Sequence, residues 1–252
     1  ARARLAHNRS VRFLLLASIL AAASVQARET VAIDVGHYLE EPGAISARGR
    51  AELEFNRDLA LEIDSAALGK GLGSFLIGFD GLMSRLSARS AAGASAGFLL
   101  SVHHDSVQPH FLEAWEHEGS ERLYCDRYSG FSLFVSRKGP HLRRSLACAS
   151  AIGEEMRRAG FSPSLYHADP IPGERKPFAD RTNGVHYYDN LIVLKTARSP
   201  AVLLEAGVIL NRNEELEMQN ESVRQRIAAA VAAGLDRCLP GGAARTAALR
   251  PF

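Results

Sequence analysis

The chain has 252 residues, enough for one α/β domain with a sizeable core once its two ends are discounted. Its formal net charge of +2 is too small to argue for a nucleic-acid partner, although a slightly basic surface is compatible with an anionic polymer.

Residues 1–12 carry four arginines and no acid. An apolar stretch, Phe13 to Ala23, follows, and Val25-Gln26-Ala27 offers small residues for cleavage. This is the order of a secretory signal, and it predicts a mature chain beginning near Arg28, outside the cytoplasm. The apolar run is too short to span a bilayer core of ~30 Å as a helix, so no stable membrane span is expected after cleavage. An uncleaved N-terminal anchor is the alternative.

Val31 to Val35 reads as a buried strand, followed by Gly36 and His37. Glu52 to Leu68 reads as a helix with Phe55, Leu59 and Ile63 on one face. Ser74 to Phe79 is a second strand, and Met83 to Ala96 a helix weakened at Gly93. Phe98 to Val102 is a third strand, closed by His103. Phe131 to Val135 is a fourth strand, and His141 to Ala159 a helix with Leu142, Leu146, Ala149, Ile152 and Met156 at helical spacing. Leu191 to Leu194 and Val202 to Leu204 are the last predicted strands, the second closed by Glu205. Glu221 to Cys238 is the last helix, and residues 240–252 are expected to form a disordered tail. The alternation predicts a single α/β domain over residues 28–239, layered around one sheet.

Two stretches interrupt the pattern. Ser106 to Gly130 is polar and contains Trp115; Tyr166 to Tyr188 is rich in Pro, Gly, Arg and His. Long irregular segments in a compact domain are usually functional or disordered. Cys125, Cys148 and Cys238 allow at most one disulfide. Cys125 with Cys148 is the nearest pair in sequence, and free buried thiols are the equal alternative.

The chemistry lies at the strand ends. In open α/β sheets, sites form beyond the carboxyl ends of strands. His37, His103 and Glu205 each close an apolar run and can converge on one rim. Zinc hydrolases use three nitrogen or oxygen ligands, an open position for water and a carboxylate that moves protons. The three strand-end groups fall one short of that set, and the first helix begins with two further acids, Glu52 and Glu54.

Several phrases carry a family likeness. Ile33-Asp-Val-Gly-His37 resembles the first-strand motif of zinc-dependent N-acetylmuramoyl-L-alanine amidases. Glu54-Phe-Asn-Arg-Asp-Leu-Ala-Leu61 fits the acidic phrase that opens that family's first helix. Ser101-Val-His103-His-Asp-Ser106 and Ser199-Pro-Ala-Val-Leu-Leu-Glu205-Ala-Gly-Val-Ile-Leu-Asn211 are similar to its second-histidine and closing phrases, and Leu86-Ser-Ala-Arg89 to its Leu-x-x-Arg. The likeness runs in order from about Val31 to Leu239.

The resemblance implies a mixed sheet of about six strands flanked by helices on both faces. It implies zinc held by His37, Glu54 and His103, with Glu205 as the catalytic acid and base. The implied substrate is peptidoglycan or a muropeptide, cut between the lactyl group of N-acetylmuramic acid and L-alanine, in the periplasm or cell wall. No activator protein can be named. The chain departs from the family at Tyr38-Leu39, His104, Ala206 and Val208, which touches substrate detail more than the reaction. Ser136 to His141 leaves no room for the blocking helix that some members insert, and Ser106 to Gly130 is expected to wall the site instead. An exported zinc peptidase and a non-catalytic wall-binding protein are the rival readings. Asp34 either orients His37 or caps a turn. His104 and Asp105 read as loop residues, His186 as a surface residue, and Trp115 as a pin for its loop.

Overall fold

The computed structural model describes residues 29–239, so the predicted signal segment and the tail from residue 240 lie outside the described residues. Its strands are β1 (Thr30–Val35), β2 (Gly73–Ile77), β3 (Phe98–Asp105), β4 (Glu113–His117), β5 (Ser120–Tyr124), β6 (Ser132–Val135), β7 (Phe178–Asp180), β8 (Val185–Tyr187) and β9 (Ala201–Val208). The helices are α1 (Glu52–Gly69), α2 (Leu86–Ala92), α3 (Leu142–Arg158), α4 (Ile192–Thr196), α5 (Arg212–Gln219) and α6 (Glu221–Cys238).

Seven strands form one mixed sheet in the order β2-β1-β3-β9-β6-β8-β7. The resemblance implied about six; the short β7 and β8, inside the polar segment 166–188, raise the number. Strands β2, β1, β3 and β9 are parallel neighbours, and β6 runs antiparallel to β9. The parallel strands are covered on both faces, which is why they read as unbroken apolar runs. On one face, Phe55, Leu59 and Ile63 of α1 meet Ile152 and Met156 of α3 and Ile227, Val231 and Leu235 of α6. On the other, α4 contributes Val193 and Leu194 above Leu99, Phe134 and Leu203.

Four expectations need correction. Leu191 to Leu194 is not a strand: residues 192–196 form α4, because its apolar side chains cap one sheet face instead of pairing with a neighbouring strand. The helix expected over residues 83–96 is shorter, with α2 ending at Ala92 and a single 3₁₀ turn over Gly93–Ser95. The disulfide joins Cys148 to Cys238, while Cys125 is a buried free thiol. Helices α3 and α6 lie side by side, so two residues 90 positions apart come within 5.1 Å at Cα. The segment 106–130 is not irregular throughout: β4 and β5 pair as a separate hairpin. Residues 136–141 join β6 directly to α3, with no inserted helix. Among the described residues, no helix is long and apolar enough to cross a membrane.

Candidate active site

The site starts at the end of β1. His37 has a positive φ of 69°, a left-handed conformation that costs an L-residue roughly 1–2 kcal/mol. Arg89 offsets that cost. Its guanidinium is buried, donates to the carbonyls of Val35 and His37, and takes a further bond from Nε to Met83 O at 3.0 Å. Asp34 neutralises it at 2.9 Å and also accepts from Ser101 Oγ at 2.7 Å. Asp34 therefore does not touch the imidazole. It holds the arginine that holds the turn, and this is the structural role of the Leu86-x-x-Arg89 phrase.

His37 Nε2 lies 2.9 Å from Glu52 Oε2, and His103 Nδ1 lies 3.0 Å from Glu52 Oε1. Their potential ligand atoms all fall within 4.8 Å of one another. Glu54 is not among them. A step of two residues turns a helix by about 200°, so Glu54 points away from Glu52, stands 56% exposed and pairs with Arg50 at 3.1 Å. The carboxylate that faces both histidines is Glu52, buried at the first position of α1.

Asn56, one turn further along α1, fixes Glu52. Its Nδ2 donates to Glu52 Oε1 at 3.2 Å and to Gly36 O at 3.3 Å, and its Oδ1 meets His104 Nδ1 at 2.8 Å. The amide of Ala44 donates to Glu52 Oε2 at 3.1 Å. Two glycines make the approach possible. A Cβ on Gly36 would overlap the His103 ring, and one on Gly43 would overlap Glu52 Oε2.

Charge follows geometry. Burial raises the Glu52 pKa, but hydrogen bonds from His103 and His37 outweigh it and hold the carboxyl well below the usual range. Burial disfavours the His37 imidazolium, yet Glu52 raises its pKa overall. His104 and Asp105 belong to β3 and are buried, not in a loop. Burial pushes His104 down to about 3, so it is neutral and structural.

Glu205 sits beside this cluster, paired in register with His103 across β3 and β9. Its Oε2 is buried without a hydrogen-bond partner. Burial, then the charges of Asp105 and Glu52, push its pKa well above the carboxylate range, while Lys176 opposes them. Asp105 is anchored in turn: His167 Nε2 approaches its Oδ2 at 2.6 Å, and His167 Nδ1 approaches Glu174 Oε2 at 2.8 Å. His186 is fully buried on β8, with Nδ1 donating to Lys176 O at 3.2 Å, which corrects its surface placement. It lies on an inner strand of the sheet, between β6 and β7, with its ring against Phe134 and Phe178.

The hairpin of β4 and β5 stands against the loop before α1. Trp115 Nε1 donates to Ala47 O at 3.0 Å, and Arg48 and Arg212 lie over its ring at 5.4 and 5.1 Å. The tryptophan pins the hairpin. A cavity of about 390 Å³ opens between Ala44–Ser46 and Glu121–Leu123, next to the Ala44 amide that binds Glu52.

A carboxylate and two imidazoles converging on one point, with an unpartnered acid alongside, are the parts of a metal-assisted hydrolase. A family profile described as N-acetylmuramoyl-L-alanine amidase matches residues 31–237. The chain belongs to that family. The amidase shares its fold with Ami1 of Mycobacterium smegmatis, at TM-score 0.65 and 19% identity over 82% of this chain and 94% of that one. It also resembles the N-acetylmuramoyl-L-alanine amidase of Clostridium difficile 630, at TM-score 0.63 and 19% identity over 83% and 96% of the two chains. The catalytic domain of CwlV from Bacillus (Paenibacillus) polymyxa var. colistinus matches at TM-score 0.61 and 25% identity, over 83% and 97%. No curated protein matches the amidase. The family's reaction is hydrolysis of a peptidoglycan amide, and the resemblance drawn from the strand-end phrases holds for both fold and family.

Proposed function

We propose that the amidase holds one zinc ion on His37, Glu52 and His103 and cleaves the bond between the lactyl group of N-acetylmuramic acid and L-alanine. The donor set fits the ion: two imidazole nitrogens and one carboxylate leave a position open, as catalytic zinc requires. Glu52 fits the part of an ionised ligand, since its environment keeps it deprotonated. Bound zinc supplies a Lewis acid for the scissile carbonyl, an acidified water, and a positive charge that offsets Glu52 beside Glu205.

Glu205 moves the proton. Its Oε2 takes one from the attacking water and returns it to the amide nitrogen, so that the C–N bond breaks to give a free carboxyl and a free amine. The buried, unpartnered Oε2 carries this reading, because a carboxylate oxygen with no hydrogen bond is costly unless a reactant completes it. Asp105 and Glu52 raise its proton affinity, and Lys176 limits the rise. Arg89 and Asp34 keep the His37 turn in its left-handed state, and the β4–β5 hairpin walls the cleft on the Ala44 side.

A substrate that is part of the cell wall places the enzyme outside the cytoplasm, in the periplasm or wall. The basic and apolar order of residues 1–27 supports that placement, and residues 28–239 then make up the catalytic domain. Mass spectrometry of muropeptides digested with and without chelator tests the reaction. Intact peptides with new L-alanine amino termini are expected; cleavage within the peptide, or no chelator effect, refutes it.

A further inference from the structure

A second cavity, of about 430 Å³, lies where the loop after β6, the loop before β7 and the end of β8 meet. Its wall carries four cations, Arg137, Lys138, Arg175 and Lys176, and two acids, Glu174 and Asp189. Both acids are already engaged. Asp189 is held by Arg137 at 2.6 Å, and Glu174 by Lys176, His167 and Gln108 at 2.5, 2.8 and 2.7 Å. Lys138 and Arg175 are exposed and form no ion pair among the described residues.

The loop presenting Arg175 is fixed. Arg175 has a positive φ of 61°, its amide donates to Asp169 O at 3.1 Å, and the next amide, of Lys176, donates to His167 O at 2.7 Å. Tyr187 and Tyr188 line the cavity beneath Arg137 and Lys176, whose charges lie 5.2 and 4.7 Å from the ring centres.

The cavity lies on the Glu205 side of the sheet. Glu205 shares its face of β9 with Leu203 and Ala201, whose side chains join the α4-side core, and Tyr188 of the cavity lining packs against the same core. The hydrogen-bonded chain Lys176–Glu174–His167–Asp105 runs from the cavity wall to the acid beside Glu205.

The reading of the reaction given above, on which this inference rests, makes the two arms of the substrate unlike. The acyl arm leads to sugars, and its carboxyl is consumed in the amide. The amine arm is a peptide that ends in a free carboxylate. We propose that this cavity is the subsite for a carboxylate of the stem peptide, with Lys138 and Arg175 as its receiving cations. Arginine presents a planar fork that matches a carboxylate with two hydrogen bonds, and lysine adds a point charge.

The test compares the zinc-loaded full chain with a K138A/R175A double variant on two soluble substrates: N-acetylmuramoyl-tripeptide with a free C-terminal carboxylate, and the same compound as its C-terminal amide. The wild type is expected to favour the carboxylate about tenfold in kcat/KM, through KM, the size of one charge-assisted hydrogen bond. The double variant should treat both substrates alike. A charge-matched K70A/R143A control, altered at the exposed residue after α1 and an exposed position of α3, should keep the preference. A preference retained by K138A/R175A overturns the proposal while leaving the amidase reaction intact. If the wild type cleaves neither substrate, the proposed reaction fails; calorimetry of the free tripeptide then decides the subsite alone, with binding abolished by K138A/R175A supporting it and unchanged or absent wild-type binding overturning it.

Discussion

Asp34→Asn probes the contact that anchors the His37 turn of the proposed metal centre. Asp34 and Arg89 are each 1% exposed, and Asp34 is the carboxylate that neutralises the guanidinium. Breaking a buried pair from one side costs about 3–5 kcal/mol, because the remaining charge stays uncompensated. For a domain of about 200 residues each kcal/mol lowers Tm by about 2–4 °C, so a fall of about 6–20 °C is expected. The same change loosens the Arg89 grip on His37 O, and zinc affinity should fall about 10–100-fold, as for outer-shell changes at metal sites. Arg89→Lys keeps the charge but loses the fork, so it should spare more stability than zinc affinity. Scanning calorimetry and competitive zinc titration read the two effects separately. An Asp34→Asn protein with Tm within about 2 °C of wild type and unchanged zinc affinity would refute the reasoning.

Other outcomes follow from the same geometry. Glu205→Gln should lower kcat by about 10²–10⁴ and leave zinc affinity near wild type; a smaller loss on muropeptides removes it from the proton path. Glu52→Gln should weaken zinc binding by more than about 100-fold, whereas Glu54→Gln, which loses only an exposed pair with Arg50, should change it less than about twofold. Equal effects in a zinc titration would reverse the assignment. His167 is buried, which disfavours its charge, but Asp105 and Glu174 raise its pKa from 6.5 to about 9. Its contribution to stability is therefore complete below pH 6.5 and lost as pH rises through about 9; urea titrations at several pH values should show that loss, and His167→Gln should flatten it. Cys238→Ala opens a link across 90 residues and should cost about 4–5 kcal/mol in denaturant unfolding, with reductant reproducing the loss in wild type.

Much of this arrangement is legible from period and position. The parallel strands announce themselves as apolar runs; His37 follows β1 by two residues, while His103 and Glu205 lie within β3 and β9, which run on past the expected ends. Helical spacing also contains the answer at α1: Glu52 and Asn56 continue the stripe of Phe55, Leu59 and Ile63, and Glu54 falls off it. Matching a family phrase by composition favours Glu54, whereas periodicity points to Glu52, the acid that faces both histidines. Other features are hidden for physical reasons. A four-residue apolar run such as Leu191 to Leu194 does not distinguish a strand from a buried turn of helix. β8 is three residues long and set among polar neighbours. α5 is too charged to show an apolar face, although Asn211 caps it by accepting from the amides of Asn213 and Glu214. The Cys148–Cys238 link depends on two helices meeting, which spacing does not encode. Arg89 was visible as part of a motif, but its burial against Asp34 is a fact of three dimensions.

The disulfide also bears on when the enzyme becomes robust. It ties α3 to α6 on the sheet face opposite Glu205, so the covalent brace lies behind the cleft and not in the loops that border it. Thiols stay reduced in the cytosol and pair in oxidising compartments. An exported copy would thus gain its cross-link only on the side of the membrane where its polymer lies, and a copy retained in reducing surroundings would stay less stable and the easier target for proteolysis.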